Sequence, residues 1–125
     1  MKRLAQILPL ALLAALAACK DSASVRTWSV TWSAAVEGGT GRIDSLTWRE
    51  HTSPYSRTGP MTSWFWTAPL PAGQQVFLRV RGSTTSPALI RASINATASD
   101  HAPFGSELTC SGADTYCQIG PLTLP

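Results

Sequence analysis

Side chains that could act in acid–base catalysis occur twice in the chain, where a histidine directly follows a carboxylate. These pairs are Glu50-His51 and Asp100-His101. Adjacent residues of a β-strand point to opposite faces, so neither pair is a ready acid–base couple. The chain has no Gly-x-Ser-x-Gly elbow, no glycine-rich phosphate loop and no Cys/His cluster with metal-ligand spacing. We therefore predict no enzyme activity, no catalytic residue, no metal and no cofactor. A small hydrolase, which would need a pocket holding a histidine and a carboxylate, is the weaker alternative.

Tryptophan is the most unusual feature of the composition, since the chain has five. Trp28 and Trp32 share one face of a predicted strand, and Trp64 and Trp66 share a face of another. Tryptophans in a small domain can pack the core, where each buries a large area. Alternatively, exposed tryptophans form a platform for a sugar ring, a lipid or a partner protein. The two interpretations differ in whether Trp64 and Trp66 point outward.

Three arginines, Arg79, Arg81 and Arg91, alternate with apolar residues along two predicted strands. On neighbouring strands they would form a basic stripe that faces anionic headgroups or glycan, although such a run can also be an ordinary solvated face. Together with Trp64 and Trp66, these arginines are the candidate binding surface.

Two of the three cysteines, Cys110 and Cys117, are separated by six residues, Ser-Gly-Ala-Asp-Thr-Tyr. A short hairpin can bring two such residues within the Cα distance of about 4.4–6.8 Å that a disulfide requires. A redox pair is usually spaced Cys-x-x-Cys, and a metal site needs more ligands nearby. Because exported proteins meet an oxidising compartment, we predict a structural disulfide across a hairpin turn.

The amino terminus has the features of an export signal. Two basic residues follow Met1, and Gln6 is the only polar residue from Leu4 to Ala18. The apolar stretch is shorter than the roughly 20 residues that span a bilayer, and it is typical of a secretory signal. We predict a signal peptide over residues 1–18 and a short polar tether up to residue 25.

The end of this stretch, Leu16-Ala17-Ala18-Cys19, resembles a bacterial lipobox. The resemblance implies that the Cys19 thiol carries diacylglycerol and that the signal is cut before it. The new amino group would usually be acylated too, and two or three acyl chains would anchor the protein stably in a membrane. Lys20 rather than Asp follows, which in similar lipoproteins favours the outer membrane, on its periplasmic face or at the cell surface. An ordinary signal peptide with a nearby cysteine is the alternative.

The charge balance excludes one class of partner. The whole chain carries a net charge of +3, and removal of residues 1–18 leaves eight basic and seven acidic side chains. No basic patch large enough for nucleic acid remains, so we predict no nucleic-acid partner.

Alternation of apolar and polar residues predicts about seven short strands and no helix after residue 18. The strands are expected near residues 27–33, 42–50, 61–67, 76–81, 88–96, 104–110 and 116–119, with a loop over 51–60. Ile43 is out of phase with Leu46 and Trp48, which predicts either a β-bulge or the start of the strand at this point. The fold class is an all-β antiparallel sandwich over residues 26–125. Its core is predicted to contain Val30, Val76, Leu78, Val80, Ile90 and Ile94.

The order of these strands and turns over residues 25–98 resembles the small periplasmic domains of MmpS-type membrane accessory proteins. The resemblance is carried by Val30–Trp32, Ile43–Trp48, the Pro-Leu-Pro-Ala-Gly turn after Trp66, Gln75–Val80 and Ala88–Ile94. It implies an Ig-like or transthyretin-like sandwich and a role beside a membrane complex. We predict a lipid-anchored envelope protein with a non-catalytic binding or accessory function, whose partner is an envelope protein or a glycan. The alternative is a glycan- or small-ligand-binding module that uses exposed tryptophans.

Overall fold

The computed structural model describes residues 25–125, which contain eight β-strands. The strands are β1 (Thr27–Glu37), β2 (Gly41–Glu50), β3 (Ser53–Met61), β4 (Ser63–Pro71), β5 (Gln75–Thr84), β6 (Leu89–Ala98), β7 (His101–Cys110) and β8 (Thr115–Thr123). This described part contains no helix long and apolar enough to cross a membrane. The predicted signal peptide over residues 1–18 and the predicted lipidation site Cys19 lie outside the described residues.

The strands form two antiparallel sheets that pack on each other as a β-sandwich. The first sheet has the strand order β4-β1-β6-β7, and the second sheet has the order β3-β2-β5-β8. The predicted antiparallel all-β sandwich is therefore confirmed, with eight strands instead of about seven. Each sheet has two central strands, which contribute most of the core, and two edge strands.

The core lies between the inward faces of the two sheets. All six predicted core residues are fully buried: Val30, Val76, Leu78, Val80, Ile90 and Ile94. A one-residue slip would turn every one of them to solvent, so this burial confirms the predicted register. Trp28 and Trp32 in β1 are also fully buried and are the largest side chains of the core. Their burial contributes hydrophobic stabilisation of roughly 25 cal/mol for each Å² of apolar surface removed from water.

Of the two explanations for the phase of Ile43, the structure shows the β-bulge, since β2 begins before this residue, at Gly41. Ile43, Leu46 and Trp48 are all buried although Ile43 is out of phase with the other two. The pairing of β2 with both β3 and β5 shifts between Ile43 and Ser45. The extra residue in β2 lets one strand bury residues from two different phases.

The loop predicted over residues 51–60 is wrong, because most of this segment is strand β3. β3 pairs with β2 from the Glu50–Ser53 pair to the Ile43–Met61 pair. Its residues are mostly exposed on both faces, so the apolar alternation that reveals the other strands is absent. The following strand also differs from the prediction, since β4 spans Ser63–Pro71 and contains the first part of the segment predicted as a turn.

Prolines divide the edge strands from the central strands. Each of the four edge strands, β3, β4, β7 and β8, contains at least one proline, and the central strands β1, β2, β5 and β6 contain none. Proline has no N–H to donate to a neighbouring strand, so it is tolerated only where no further strand pairs. These prolines also hinder the free edges of the sheets from pairing with a strand of another chain.

A disulfide joins the two sheets at one edge of the sandwich. Cys110 and Cys117 are bonded, with their Cα atoms 5.8 Å apart, so the predicted pairing is present in the structure. The predicted hairpin is wrong, because β7 ends the first sheet and β8 ends the second. Cys117 is fully buried, and the connecting loop is held by Gly112, whose backbone exchanges hydrogen bonds with Thr84. The bond therefore closes the β7–β8 edge rather than fixing the register of a hairpin.

Candidate functional site

The opposite edge of the sandwich, between β3 and β4, is open. Directly paired residues of antiparallel strands point to the same face. Tyr55 pairs with buried Trp48, and Arg57 pairs with buried Leu46, so both β3 side chains face inward. Both are nevertheless exposed, because β4 of the first sheet does not cover them. This edge leaves inward-facing side chains accessible to a ligand.

Four aromatic side chains from three strands meet at this edge, and we call this cluster the aromatic edge: Trp48, Tyr55, Trp64 and Trp66. The Trp48 ring lies at the centre, with its centroid 4.7 Å from that of Trp64 and 6.1 Å from that of Trp66. Tyr55 stacks on Trp48 at 5.7 Å with an interplanar angle of 23°. The second sheet contributes Trp48 and Tyr55, and the first sheet contributes the other two.

The two outer members of the aromatic edge expose much of their surface. Tyr55 is 44% exposed and Trp66 is 45% exposed, whereas Trp48 and Trp64 are buried. A shallow depression of about 490 Å³ adjoins the edge and is lined in part by Arg57, Met61 and Trp64. The aromatic edge thus combines two buried rings with two rings that are accessible to a ligand.

Glu50 supplies a carboxylate beside these rings. It points inward at the end of β2 and is only 9% exposed. Trp66 Nε1 donates a hydrogen bond of 3.3 Å to Glu50 Oε2. Among the described residues Glu50 forms no ion pair, and the buried Nε1 of Trp48 has no hydrogen-bond partner. Because an ionised carboxylate can accept about four hydrogen bonds, Glu50 has capacity for further donors.

The predicted tryptophan pair is only partly accessible. Trp64 and Trp66 share a face, as expected from their spacing, but that face points inward. Trp64 is buried and Trp66 reaches the surface only because the edge is open. Phe65, between them, points outward and is 73% exposed. The two tryptophans therefore do not form an outward platform. They are not both buried either, as the core interpretation requires.

The basic stripe predicted from three arginines does not form. Arg79 and Arg81 lie on β5 of the second sheet, and Arg91 lies on β6 of the first sheet. Arg91 forms ion pairs with Glu37 and Glu107, and hydrogen bonds to these carboxylates raise its pKa above the ordinary value. Arg91 therefore belongs to a compensated cluster on the outer face of the first sheet.

The two histidines occupy separate parts of the fold. His51 lies in the β2–β3 turn with a positive φ of 55°, next to Glu50. His101 begins β7 in the first sheet, where its ring packs edge-on against Trp28 at 5.1 Å. Over residues 25–125 no group of three or more His, Cys, Asp and Glu side chains is arranged to hold a metal ion.

Three members of the site, Trp48, Glu50 and Tyr55, are absent from the binding surface predicted from the sequence. Glu50 is a charged residue at a strand end, and Tyr55 lies in the segment predicted to be a loop. The alternation along β2 could have indicated Glu50, because Glu50 lies on the same face of the strand as Leu46 and Trp48. No protein-family model, curated protein or solved structure matches the chain.

Proposed function

We propose that this protein is an exported, lipid-anchored binding protein of the cell envelope that holds a glycan at the aromatic edge. In this proposal Cys19 carries the lipid, the outer membrane is the site of attachment, and the domain binds without catalysis. The lipobox-like sequence supports the anchor, and the resemblance to small periplasmic accessory domains agrees with a binding role.

One observation carries the binding proposal: Tyr55 and Trp66, from different sheets, are both about half exposed and flank the buried ring of Trp48. A large aromatic side chain left in water forgoes its hydrophobic stabilisation, and clustered exposed apolar surface usually marks an interaction site. Because the two side chains face inward at an open edge, a ligand can contact both sheets at once.

The chemistry of the aromatic edge suits a sugar ring. The C–H face of a pyranose is apolar and flat, so it can pack on an indole or phenol ring. Its hydroxyl groups can donate to Glu50, whose burial without a cation is otherwise unfavourable. A mostly apolar surface with a few placed polar groups is the usual composition of a small-ligand site.

Titration of the full chain in detergent micelles with chitotriose and with soluble peptidoglycan fragments tests this proposal. We expect a saturable change in tryptophan fluorescence. The substitutions Trp66→Ala and Tyr55→Ala should each weaken binding by about tenfold, which corresponds to about 1.4 kcal/mol. Tyr116→Ala is the matched control, because Tyr116 is 45% exposed, as Trp66 is, but lies on β8 at the far edge of the second sheet from β3.

Absence of a saturable response to every glycan probe would refute the glycan proposal. An equal loss of affinity in Tyr116→Ala would refute the location of the site. A third outcome is that no glycan binds and that the single substitution Trp66→Ala abolishes crosslinking to an envelope protein in cells. In that case the ligand is a protein, and the accessory function replaces glycan binding.

A further inference from the structure

We infer that the outer face of the second sheet docks on anionic phospholipid headgroups. This basic face comprises Arg49 on β2, Phe77, Arg79 and Arg81 on β5, and Tyr116 and Gln118 on β8. The inference rests on the membrane attachment proposed above and is independent of the glycan.

The register of the second sheet places these side chains on one surface. Arg49 pairs with Phe77, Arg79 pairs with Gln118, and Arg81 pairs with Tyr116. The residues that alternate with them along β5, including Leu78 and Val80, point into the core and are fully buried. The basic face therefore points away from the core along three adjacent strands.

The arginines of this face have no acidic partner among the described residues. Three other arginines, Arg26, Arg42 and Arg91, form all the ion pairs present in residues 25–125. Strand β2 contains two acids: Glu50 is buried on the inward side, and Asp44 Oδ1 already accepts from Arg42 Nε at 2.7 Å. Although the net charge of the domain is small, its uncompensated positive charge is concentrated on the second sheet.

Aromatic rings hold these guanidinium groups in place. The guanidinium groups of Arg79 and Arg81 both lie near the Tyr116 ring, at 5.8 and 5.9 Å from its centroid. Arg49 lies 5.8 Å from the Phe77 ring, and its buried Nε has no hydrogen-bond partner within the described residues. Tyr116 is itself 45% exposed. Arginines stacked on aromatic rings lose less side-chain entropy when they bind. Arg79 Nη2 donates to Gln118 Oε1 at 3.5 Å, which leaves the other N–H groups of Arg79 for an oxyanion.

Phosphodiester headgroups complement this surface in charge and shape. Each carries a negative charge with two oxygens that can accept from one guanidinium. Arginine and tyrosine are also side chains suited to the boundary between headgroups and acyl chains, since each has an apolar body and a polar end. A sheet face presents its charges in a plane, as a bilayer surface does. A short tether at Cys19 would keep this face within reach of the membrane.

Chemical footprinting of arginines tests the inference with the full chain reconstituted in vesicles. One set of vesicles contains phosphatidylcholine alone, and the other contains phosphatidylcholine mixed with phosphatidylglycerol. Phenylglyoxal modification of each arginine is followed by peptide mass spectrometry at low ionic strength. At about 1 kcal/mol for each arginine near an anionic surface, we expect Arg79 and Arg81 to react about fivefold more slowly in the anionic vesicles. Arg91, on the outer face of the other sheet, is the internal control and should react equally in both.

Salt should remove the protection, because it shortens the Debye length, beyond which the attraction of the headgroups is screened. Equal modification of Arg79 and Arg81 in the two kinds of vesicle would overturn the inference. Protection by inorganic phosphate added to neutral vesicles, to the same extent as by phosphatidylglycerol, would also overturn it in favour of an ion site. The intact mass of the same sample shows whether Cys19 is lipidated, so failure of the anchor and failure of this inference are separate results.

Discussion

Leu78 lies at the centre of β5 and is fully buried between the sheets. We expect Leu78→Ala to lower the free energy of unfolding by about 2–5 kcal/mol, because it removes buried methyl groups and leaves a cavity. Urea denaturation measures the loss. Arg81→Ala on the same strand is the control and should change stability by less than about 0.5 kcal/mol, as is usual for an exposed side chain. A similar effect of both substitutions would contradict the inward orientation of Leu78.

The ion pair between Arg26 and Asp100 gives a second prediction for single residues. Arg26 Nε lies 3.0 Å from Asp100 Oδ1, and this hydrogen bond, with the charge of Arg26, holds the pKa of Asp100 below its usual range. A carboxyl group with a lowered folded-state pKa adds stability above its unfolded pKa and loses it as the pH falls through the folded value. Asp100→Asn should therefore be slightly less stable than the natural chain at neutral pH. The difference should disappear in acid, as measured by thermal unfolding across the pH range. A difference that persists in acid would assign the effect to something other than the charge.

The face of a strand on which each side chain lies could be predicted from the sequence wherever one face is buried. The alternation of Trp28, Val30 and Trp32 with polar residues leaves only one register that buries the apolar set. The same reasoning fails for Glu50, since a carboxylate is expected in solvent and its burial depends on Trp66 from the other sheet. Contacts between sheets cannot be predicted from the pattern of one strand.

At the scale of elements, proline content distinguishes the edge strands from the central strands. β3 carries Pro54, Gly59 and Pro60, which read as a loop when each strand is considered alone. An edge strand needs hydrogen bonds on one side only, so prolines on its free side do not prevent it from forming. Segments of strand length that contain proline could have been assigned to edges, and those without it to the centres of the sheets.

The disulfide gives a prediction for the last two strands. Reduction of Cys110–Cys117 should speed hydrogen exchange in β7 and β8 while β1, β2, β5 and β6 stay protected, because the bond joins two edge strands. The loop it closes is short, so the loss of stability should be modest, about 2–3 kcal/mol. The double substitution of both cysteines by alanine should reproduce the exchange pattern without a reductant. Equal acceleration in all eight strands would show that the bond supports the whole sandwich instead.

At the scale of the whole molecule, the proposed anchor determines where the domain acts. We expect Cys19→Ser to abolish incorporation of labelled palmitate and to leave the precursor uncleaved or release the protein from the membrane fraction. Cys110→Ser is the control for loss of a thiol and should keep the label. Palmitate incorporated into the Cys19→Ser chain would contradict the lipoprotein assignment.

The two long edges of the sandwich differ, and this difference has a mechanical consequence. At the β7–β8 edge the Cys110–Cys117 disulfide ties the sheets in addition to the connecting loop, whereas at the β3–β4 edge only the peptide chain through Thr62 joins the two strands. We therefore expect thermal separation of the sheets to resemble the opening of a hinge whose axis passes through the disulfide and runs parallel to the β7–β8 edge. The amplitude grows with distance from that axis and is greatest at Tyr55 and Trp66. A ligand that contacts both residues would link the two sheets across the open edge. Its binding would therefore reduce the motion of the sheets relative to each other throughout the sandwich.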